Sequence, residues 1–176
     1  MTESQDIPLV ELARAIDTSL WYGFVVAKSE SVTVLHTVSE RFDLDGYCAF
    51  RCQDVTSVTE TFEKRDLLRR ALRIRHQMVV VPSAIDASSM RSLMESAQAA
   101  FGVLVIEREQ LTSEQIEVGT IRMTSEDTYV LRWLSSNAEW DNDDRPFRYR
   151  DITKVHFGAD YEQTLLAVAR SREDEP

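Results

Sequence analysis

Residues 147–161 read FRYRDITKVHFGADY, and much of this stretch also occurs 97 positions earlier, where residues 50–58 read FRCQDVTSV. Five of the nine aligned residues are identical, and Val55 aligns with Ile152, which has a similar branched shape. The identical pairs are Phe50 and Phe147, Arg51 and Arg148, Asp54 and Asp151, Thr56 and Thr153, and Val58 and Val155. Such agreement within one chain indicates an internal repeat.

The repeat extends upstream through two strand-like segments. Residues 22–27 read YGFVVA and align with residues 118–123, VGTIRM, at a separation of 96 positions. Each segment leads through a Ser-Glu turn into a second run of β-branched and aromatic residues. One additional residue in the loop 135–146 accounts for the growth of the separation from 96 to 97. Gly23 and Gly119 interrupt their strands, and this predicts a strong bend in each strand.

These patterns predict an α+β fold that is mainly β, in which one small β-unit occurs twice. Residues 1–60 form the first unit with a leading helix at 7–18, and residues 111–170 form the second with a trailing helix that begins at Asp160. Residues 61–110 form a connector of helix, strand, helix and strand, with a strand at 78–81 and a helix that Asp86 caps, that runs to Phe101 and that Gly102 ends. The charged residues 171–176 are predicted to be a disordered tail.

The repeated unit resembles the Sm-like (SH3-like) small barrel, because an N-terminal helix, a Gly-bearing bent strand and a hairpin precede an aromatic-basic-x-x-Asp-β-branched-x-x-Val run. The second copy also resembles a family of uncharacterised bacterial proteins, through Glu139-Trp140, residues 151–155, Phe157-Gly158 and Tyr161. The resemblance implies tandem barrels joined by an α/β connector, and RNA binding as one possible function. RNA-binding Sm proteins carry an Asp-x-x-Met-Asn loop, however, and neither copy has it. The nucleotide pocket of that family is therefore not expected here.

Composition limits the classes of function. The formal net charge is -10, from 30 acidic and 20 basic residues, which disfavours both nucleic acid and anionic membranes as general partners. No apolar run reaches the ~20 residues that a membrane-spanning helix needs. Two cysteines, Cys48 and Cys52, are too few for a disulfide framework and fit a reducing compartment. We expect a cytoplasmic protein.

The repeated Asp and Arg residues are the first candidates for a site. Asp54 and Asp151, with Arg51 and Arg148 before them, are the group that a small-ligand site or a hydrolase would use. An aspartate at a strand corner more often accepts hydrogen bonds from nearby backbone N–H groups, and this is the favoured interpretation. Arg150 lies beside Asp151 and is a further candidate for binding.

Trp140 and Asp141 form the second candidate, in a hydrophilic loop. An aromatic ring among acidic residues can be a recognition site for a basic partner, but packing over one end of the β-unit is the favoured interpretation. A third candidate is the predicted helix at 61–75, which carries six basic residues in an acidic chain. A solvated helix face is the usual explanation for such a pattern, and phosphate binding is the alternative.

The sequence has no Walker, Gly-x-Ser-x-Gly or Gly-x-Gly-x-x-Gly pattern and no zinc-ligand spacing. We therefore expect a non-enzymatic protein–protein interaction or regulatory module, with no cofactor and no metal. Its partner is an unknown protein or a second copy of the chain. The alternatives are an Sm-like protein that binds nucleic acid, and a small-ligand binder or hydrolase that uses the repeated Asp/Arg pair.

Overall fold

A computed structural model describes residues 7–112, 116–141 and 143–173 of the chain. Within these ranges it has ten strands and three α-helices. The strands are β1 (Leu9–Arg14), β2 (Leu20–Lys28), β3 (Val32–Val38), β4 (Leu44–Arg51), β5 (Val55–Thr59), β6 (Leu104–Glu107), β7 (Ile116–Thr124), β8 (Thr128–Trp133), β9 (Arg145–Arg148) and β10 (Lys154–Phe157). The helices are α1 (Arg65–Ile74), α2 (Met90–Phe101) and α3 (Asp160–Glu173).

The ten strands form one antiparallel sheet in the order β5-β1-β2-β3-β4-β10-β6-β7-β8-β9. The α+β, mainly β class predicted from the sequence is confirmed. The first five strands are ordered 5-1-2-3-4, and the last five follow the same order counted within their own set. The two sets join where β4 pairs with β10.

The sequence repeat corresponds to a repeat of structural elements. β2 and β7 each have nine residues and start 96 positions apart, and β3 and β8 also start 96 positions apart. The three-residue 3-10 turns Cys52–Asp54 and Tyr149–Asp151 are 97 positions apart. Both β2 and β7 contain a register shift at the same place, between Val25 and Ala27 and between Ile121 and Met123. We call residues 9–74 the first repeat and residues 104–173 the second repeat.

Each repeat ends in a helix that packs on equivalent strand residues. α1 follows β5, and its buried Leu68 and Leu72 pack in one apolar cluster with Leu9, Tyr22 and Val38. α3 follows β10, and its apolar cluster contains the residues at the corresponding positions of the second repeat, which are Val103, Val118 and Leu134. α2 lies between the repeats and packs against strands of both.

The leading helix predicted at 7–18 is wrong, because β1 occupies this region. Leu9, Val10 and Leu12 are spaced in a way that fits either a helix or a strand. The backbone of β1 pairs with β2 on one side and with β5 on the other. This non-local pairing decides in favour of the strand.

The predicted connector is also corrected. Residues 78–81 are not a strand. Val80 instead contacts side chains of β3 and β4, since its N–H donates to His36 Nδ1 over 3.3 Å and its carbonyl accepts from the Tyr47 hydroxyl over 3.1 Å. β6 is the first strand of the second repeat rather than part of a connector. α2 starts at Met90, because Ser89 and not Asp86 caps it by accepting from the Ser92 N–H.

Glycines mark the end of α2 and close approaches between neighbouring strands. α2 ends at Phe101, and Gly102 follows it as predicted, with a φ of 85°. α3 continues to Glu173, so residues 171–173 are helical rather than disordered, and residues 174–176 lie outside the described residues. A β-carbon on Gly23 would lie 2.6 Å from the His36 carbonyl oxygen, and Gly119 approaches the Arg132 carbonyl in the same way. Close strand approach therefore requires these two glycines.

Candidate functional site

The Arg-Asp pair of the first repeat is a closed ion pair in the turn that joins β4 to β5. The Arg51 guanidinium donates to both carboxylate oxygens of Asp54, over 2.6 Å and 3.0 Å. Asp54 is only 5% exposed, and its backbone carbonyl accepts from the Ala15 N–H over 2.8 Å. The ion pair therefore stabilises the turn itself, and the Asp54 carbonyl joins the turn to the residue that follows β1.

The corresponding pair does not form in the second repeat. Arg148 is exposed on β9, and Asp151 lies 3.8 Å from Arg150 instead. The cause is position in the sheet, because β4 is flanked by β10 whereas β9 ends the sheet. The Arg150 carbonyl accepts from Arg51 over 2.7 Å. The structure therefore brings Arg51 and Arg150 together and leaves Arg148 apart.

Arg51 and Arg150 line a cleft of about 490 Å³ between the two repeats. Arg91, at the start of α2, also lines it, together with Glu30 and Glu126 from the turns after β2 and β7. The cleft thus carries charges of both signs. Each of its three guanidiniums has a carboxylate partner, since Arg51 binds Asp54, Arg91 donates to Glu95 over 2.9 Å and Arg150 lies 3.8 Å from Asp151.

Trp140 is half-buried and packs on the apolar cluster beneath α3. It forms an isolated bridge with Leu134, and the Arg132 guanidinium lies 4.8 Å from the centre of its ring. The Asp141 N–H donates to the Trp133 carbonyl over 2.9 Å, and its carboxylate accepts from the Asp143 N–H over 2.9 Å. Trp140 therefore has a packing role, and Asp141 shapes the loop.

A buried charged cluster at the junction of the repeats was not predicted from the sequence. We call it the junction cluster, and its members are Arg14, Asp17, Glu107, Glu109, Lys154 and His156. The Arg14 side chain is fully buried and donates to Glu109 over 2.7 Å and 2.8 Å while pairing with Asp17. Lys154 bridges Glu107 and Glu109 over 3.1 Å and 3.2 Å. His156 Nε2 lies 3.0 Å from Glu107 and 3.8 Å from the Cys48 sulfur.

The charge states of the junction cluster follow from these contacts. Burial alone lowers the pKa of His156, but the Cys48 sulfur and the Glu107 carboxylate outweigh it and raise the pKa to about 10. Burial alone raises the pKa of Glu109, but Arg14, Thr153 and Lys154 outweigh it and lower the pKa to about 2. His156 is therefore held in its protonated form and Glu109 in its ionised form. These paired charges join the two repeats.

Sequence reasoning missed the junction cluster because its members come from distant parts of the chain. Arg14 and Glu109 are 95 residues apart. The available signal was the charge within apolar segments, since Glu107 and Glu109 follow a buried run and Lys154 and His156 alternate with Val155 and Phe157.

Several large apolar side chains are exposed on the basic helix α1 and on residues 78–81 after it. We call this the α1 surface, and its apolar members are Leu67, Ile74, Met78, Val80 and Val81. Each is between 50% and 74% exposed. Arg70 and Arg73 are exposed on the same helix, while Leu68 and Leu72 face the core. The helix therefore buries Leu68 and Leu72. It exposes Leu67 and Ile74, together with the side chains of Arg70 and Arg73.

Comparisons with protein-family models, with curated proteins and with solved structures found no match. In the part of the chain that the structure describes, no three His, Cys, Asp or Glu side chains converge as a metal site. No helix of residues 7–112, 116–141 and 143–173 is long and apolar enough to cross a membrane.

Proposed function

We propose that the chain is a protein–protein interaction module without catalytic activity, built from two Sm-like (SH3-like) barrels. The strand order 5-1-2-3-4, repeated in both halves of the sheet, supports the two-barrel architecture. Both cysteines are free thiols, which supports the cytoplasm as its compartment. The partner is another protein or a second copy of the chain.

The α1 surface is the observation that carries this proposal. Soluble proteins rarely leave large contiguous apolar areas exposed unless the area binds something. Here Ile74 and Met78 are 70% and 74% exposed within two consecutive segments. Arginine is enriched at interfaces, and exposed Arg70 and Arg73 favour a partner that combines apolar with acidic side chains.

The test is capture of partners from a nuclease-treated lysate by the full chain and by two matched double variants. Ile74→Glu with Met78→Glu alters the α1 surface. Tyr161→Glu with Val168→Glu alters exposed positions on α3, which are 58% and 40% exposed. We expect to capture a partner after nuclease treatment, and the amount captured should fall at least tenfold with the first variant only. Equal capture by all three proteins, or loss of every partner with nuclease, would overturn the proposal.

Self-association is measured on the same three proteins by sedimentation velocity. If the partner is a second copy, the unaltered chain and the α3 variant dimerise with increasing concentration, and the α1-surface variant stays monomeric. A dimer of equal strength in all three proteins would place the contact elsewhere.

Nucleic-acid binding is the second candidate, favoured by the cations of α1 and its flanks. They are Lys64, Arg65, Arg69, Arg70, Arg73 and Arg75. Binding by such cations releases counterions, so affinity must fall steeply with salt. Titration of a fluorescent single-stranded RNA at three salt concentrations tests this, and Arg70→Glu with Arg73→Glu is the informative variant.

A small-ligand site is the third candidate, at the cleft that holds Arg51 and Arg150. Its volume of about 490 Å³ suits a small anion-bearing molecule. A ligand there would have to compete with Asp54 for Arg51, so Arg150→Ala is the variant to compare with the unaltered chain in a thermal-shift screen of small anions.

A further inference from the structure

The first repeat has an open groove of about 920 Å³ beside its fifth strand. One wall is the turn after β2, at Lys28–Glu30, and the other is β5, at residues 55–58. Thr33 and Cys52 form its base. We call this the first-repeat groove.

The corresponding positions of the second repeat are covered by α2. Thr124 and Ser125, which align with Lys28 and Ser29, accept hydrogen bonds from the Arg91 guanidinium over 3.4 Å and 2.9 Å. The residues that align with Thr33, Cys52, Val55 and Val58 all belong to the apolar cluster that contains the buried side chains of α2. They are Tyr129, Tyr149, Ile152 and Val155, and the α2 residues are Leu93, Met94 and Ala97.

The edge of this seat on β10 is therefore covered, whereas its counterpart on β5 is open, and the counterparts of Leu104 and Ile106, which are Val10 and Leu12, are buried within the first repeat. Val155 is completely buried, whereas Val58 is 40% exposed. The two tyrosines of the cluster that contains α2 are replaced by the smaller Thr33 and Cys52, which line the first-repeat groove. Exposed apolar area at the equivalent of an intramolecular helix seat is area that a helix can bury.

We propose that the first-repeat groove binds an amphipathic helix of a partner protein, in the position that α2 takes on the second repeat. The proposal rests on the interaction function proposed above, and it adds a second surface with a defined occupant. Recognition of this kind places an apolar helix face, with anchors at i, i+3, i+4 and i+7, into an apolar groove. On α2 these anchors are Met90, Leu93, Met94 and Ala97.

The charge at one end of the first-repeat groove specifies the helix further. Lys28 stands where the second repeat has Thr124, the acceptor of Arg91. A cation at the position of Arg91 would face this ammonium, so the bound helix carries an acidic side chain there. An acidic residue in the first turn also suits the positive end of a helix dipole.

The probe is a fluorescein-labelled peptide of residues 86–102, used with Arg91 and with Arg91→Glu, in anisotropy titrations against the full chain. We expect saturable binding, with the Arg91→Glu peptide binding several-fold more tightly. Val58→Lys in the protein should weaken binding of this peptide at least tenfold. Val168→Lys is the matched control, because Val168 is also 40% exposed, and it should change affinity less than twofold.

Three results would overturn the helix-groove proposal. They are absence of saturable binding, equal affinity of the Val58→Lys and unaltered proteins, and undiminished affinity of a peptide that carries Leu93→Pro. The last result would show that an extended segment, and not a helix, occupies the groove. A thermal melt of each variant confirms that it is folded. Loss of peptide binding with intact capture through the α1 surface would contradict the groove proposal and leave the proposed interaction function standing. Failure of the one can therefore be told from failure of the other.

Discussion

In the first repeat the fourth strand, β4, is flanked by strands on both sides, whereas its counterpart β9 ends the sheet. The fifth strands are reversed, because β10 lies between β4 and β6 while β5 ends the sheet at the other side. Equivalent residues consequently differ in burial, as Val155 at 0% and Val58 at 40% show. Location in the sheet, rather than local sequence, decides how much each copy of a residue contributes to stability.

The two outer strands also differ in how they present their backbone. Pro146 on β9 aligns with Ala49, which pairs with Val155 across the junction. Because proline has no N–H, β9 cannot form the complete ladder that β4 forms. β5 has the sequence VTSVT, without proline or charge. Proline therefore disfavours the pairing of a further strand with β9, whereas β5, beside the first-repeat groove, has no such feature.

The largest effect is expected where the repeats are joined. Glu109→Ala leaves the buried Arg14 and Lys154 short of a partner, and breaking a buried ion pair in this way costs about 3–5 kcal/mol. Glu139→Ala is the control, because Glu139 is 70% exposed and lies 3.5 Å from Arg172 at the surface. It should cost less than about 1 kcal/mol. Urea unfolding measures both, and similar costs would contradict the structural role of the junction cluster.

The next largest difference is expected between the two copies of one valine, Val155 and Val58. Val155→Ala removes two methyl groups from a closed core and should lower the free energy of unfolding by about 2–3 kcal/mol. Val58→Ala removes the same groups from a half-open position and should cost less than about 1 kcal/mol. Chemical denaturation of the two variants provides the ratio. Equal losses would show that β5 is as well covered as β10.

Trp140 takes the place of Leu44 in the first repeat, because Leu134 pairs with Trp140 as Val38 pairs with Leu44. Trp140→Ala removes a half-buried ring and should lower stability by about 2 kcal/mol, or roughly 4–8 °C in the melting temperature. Trp140→Phe retains most of the packing and should recover more than half of the loss. An unchanged melting temperature in Trp140→Ala, together with lost partner capture, would instead identify the ring as a binding residue.

The strands of both repeats were predictable because their signals are local. Alternating β-branched residues, the glycines at 23 and 119, and the turns after β2 and β7 lie within short windows of sequence. The failures are those in which distant segments decide. Leu9–Arg14 is a strand because β2 and β5 pair with it, and residues 78–81 have strand-forming side chains but lie outside the sheet.

In the candidate site, too, some local features could be predicted and features that depend on distant segments could not. Asp54 was predicted to accept hydrogen bonds from backbone N–H groups, whereas its carboxylate accepts from the Arg51 guanidinium instead. The difference from Arg148 and Asp151 depends on which strand ends the sheet, and a local repeat cannot show this. The junction cluster and the seat of α2 depend on contacts between residues tens of positions apart, so their only local signals are isolated charges and an amphipathic helix.

The smallest effect concerns pH and the proton on His156, which aligns with the uncharged Thr59 of the first repeat. The raised pKa of His156, from an ordinary 6.5 to about 10, means that the folded state holds a proton that the unfolded chain releases above pH 6.5. Its contribution is complete below pH 6.5 and is lost as pH rises towards 10. We expect stability to fall by about 1 kcal/mol between pH 7 and pH 8 through this group. His156→Gln keeps a hydrogen bond to Glu107 without titrating, so the difference between its unfolding curve and that of the unaltered chain isolates the effect. A slope that is the same in both proteins would mean that His156 is neutral in the fold, and the junction cluster would then carry a net negative charge.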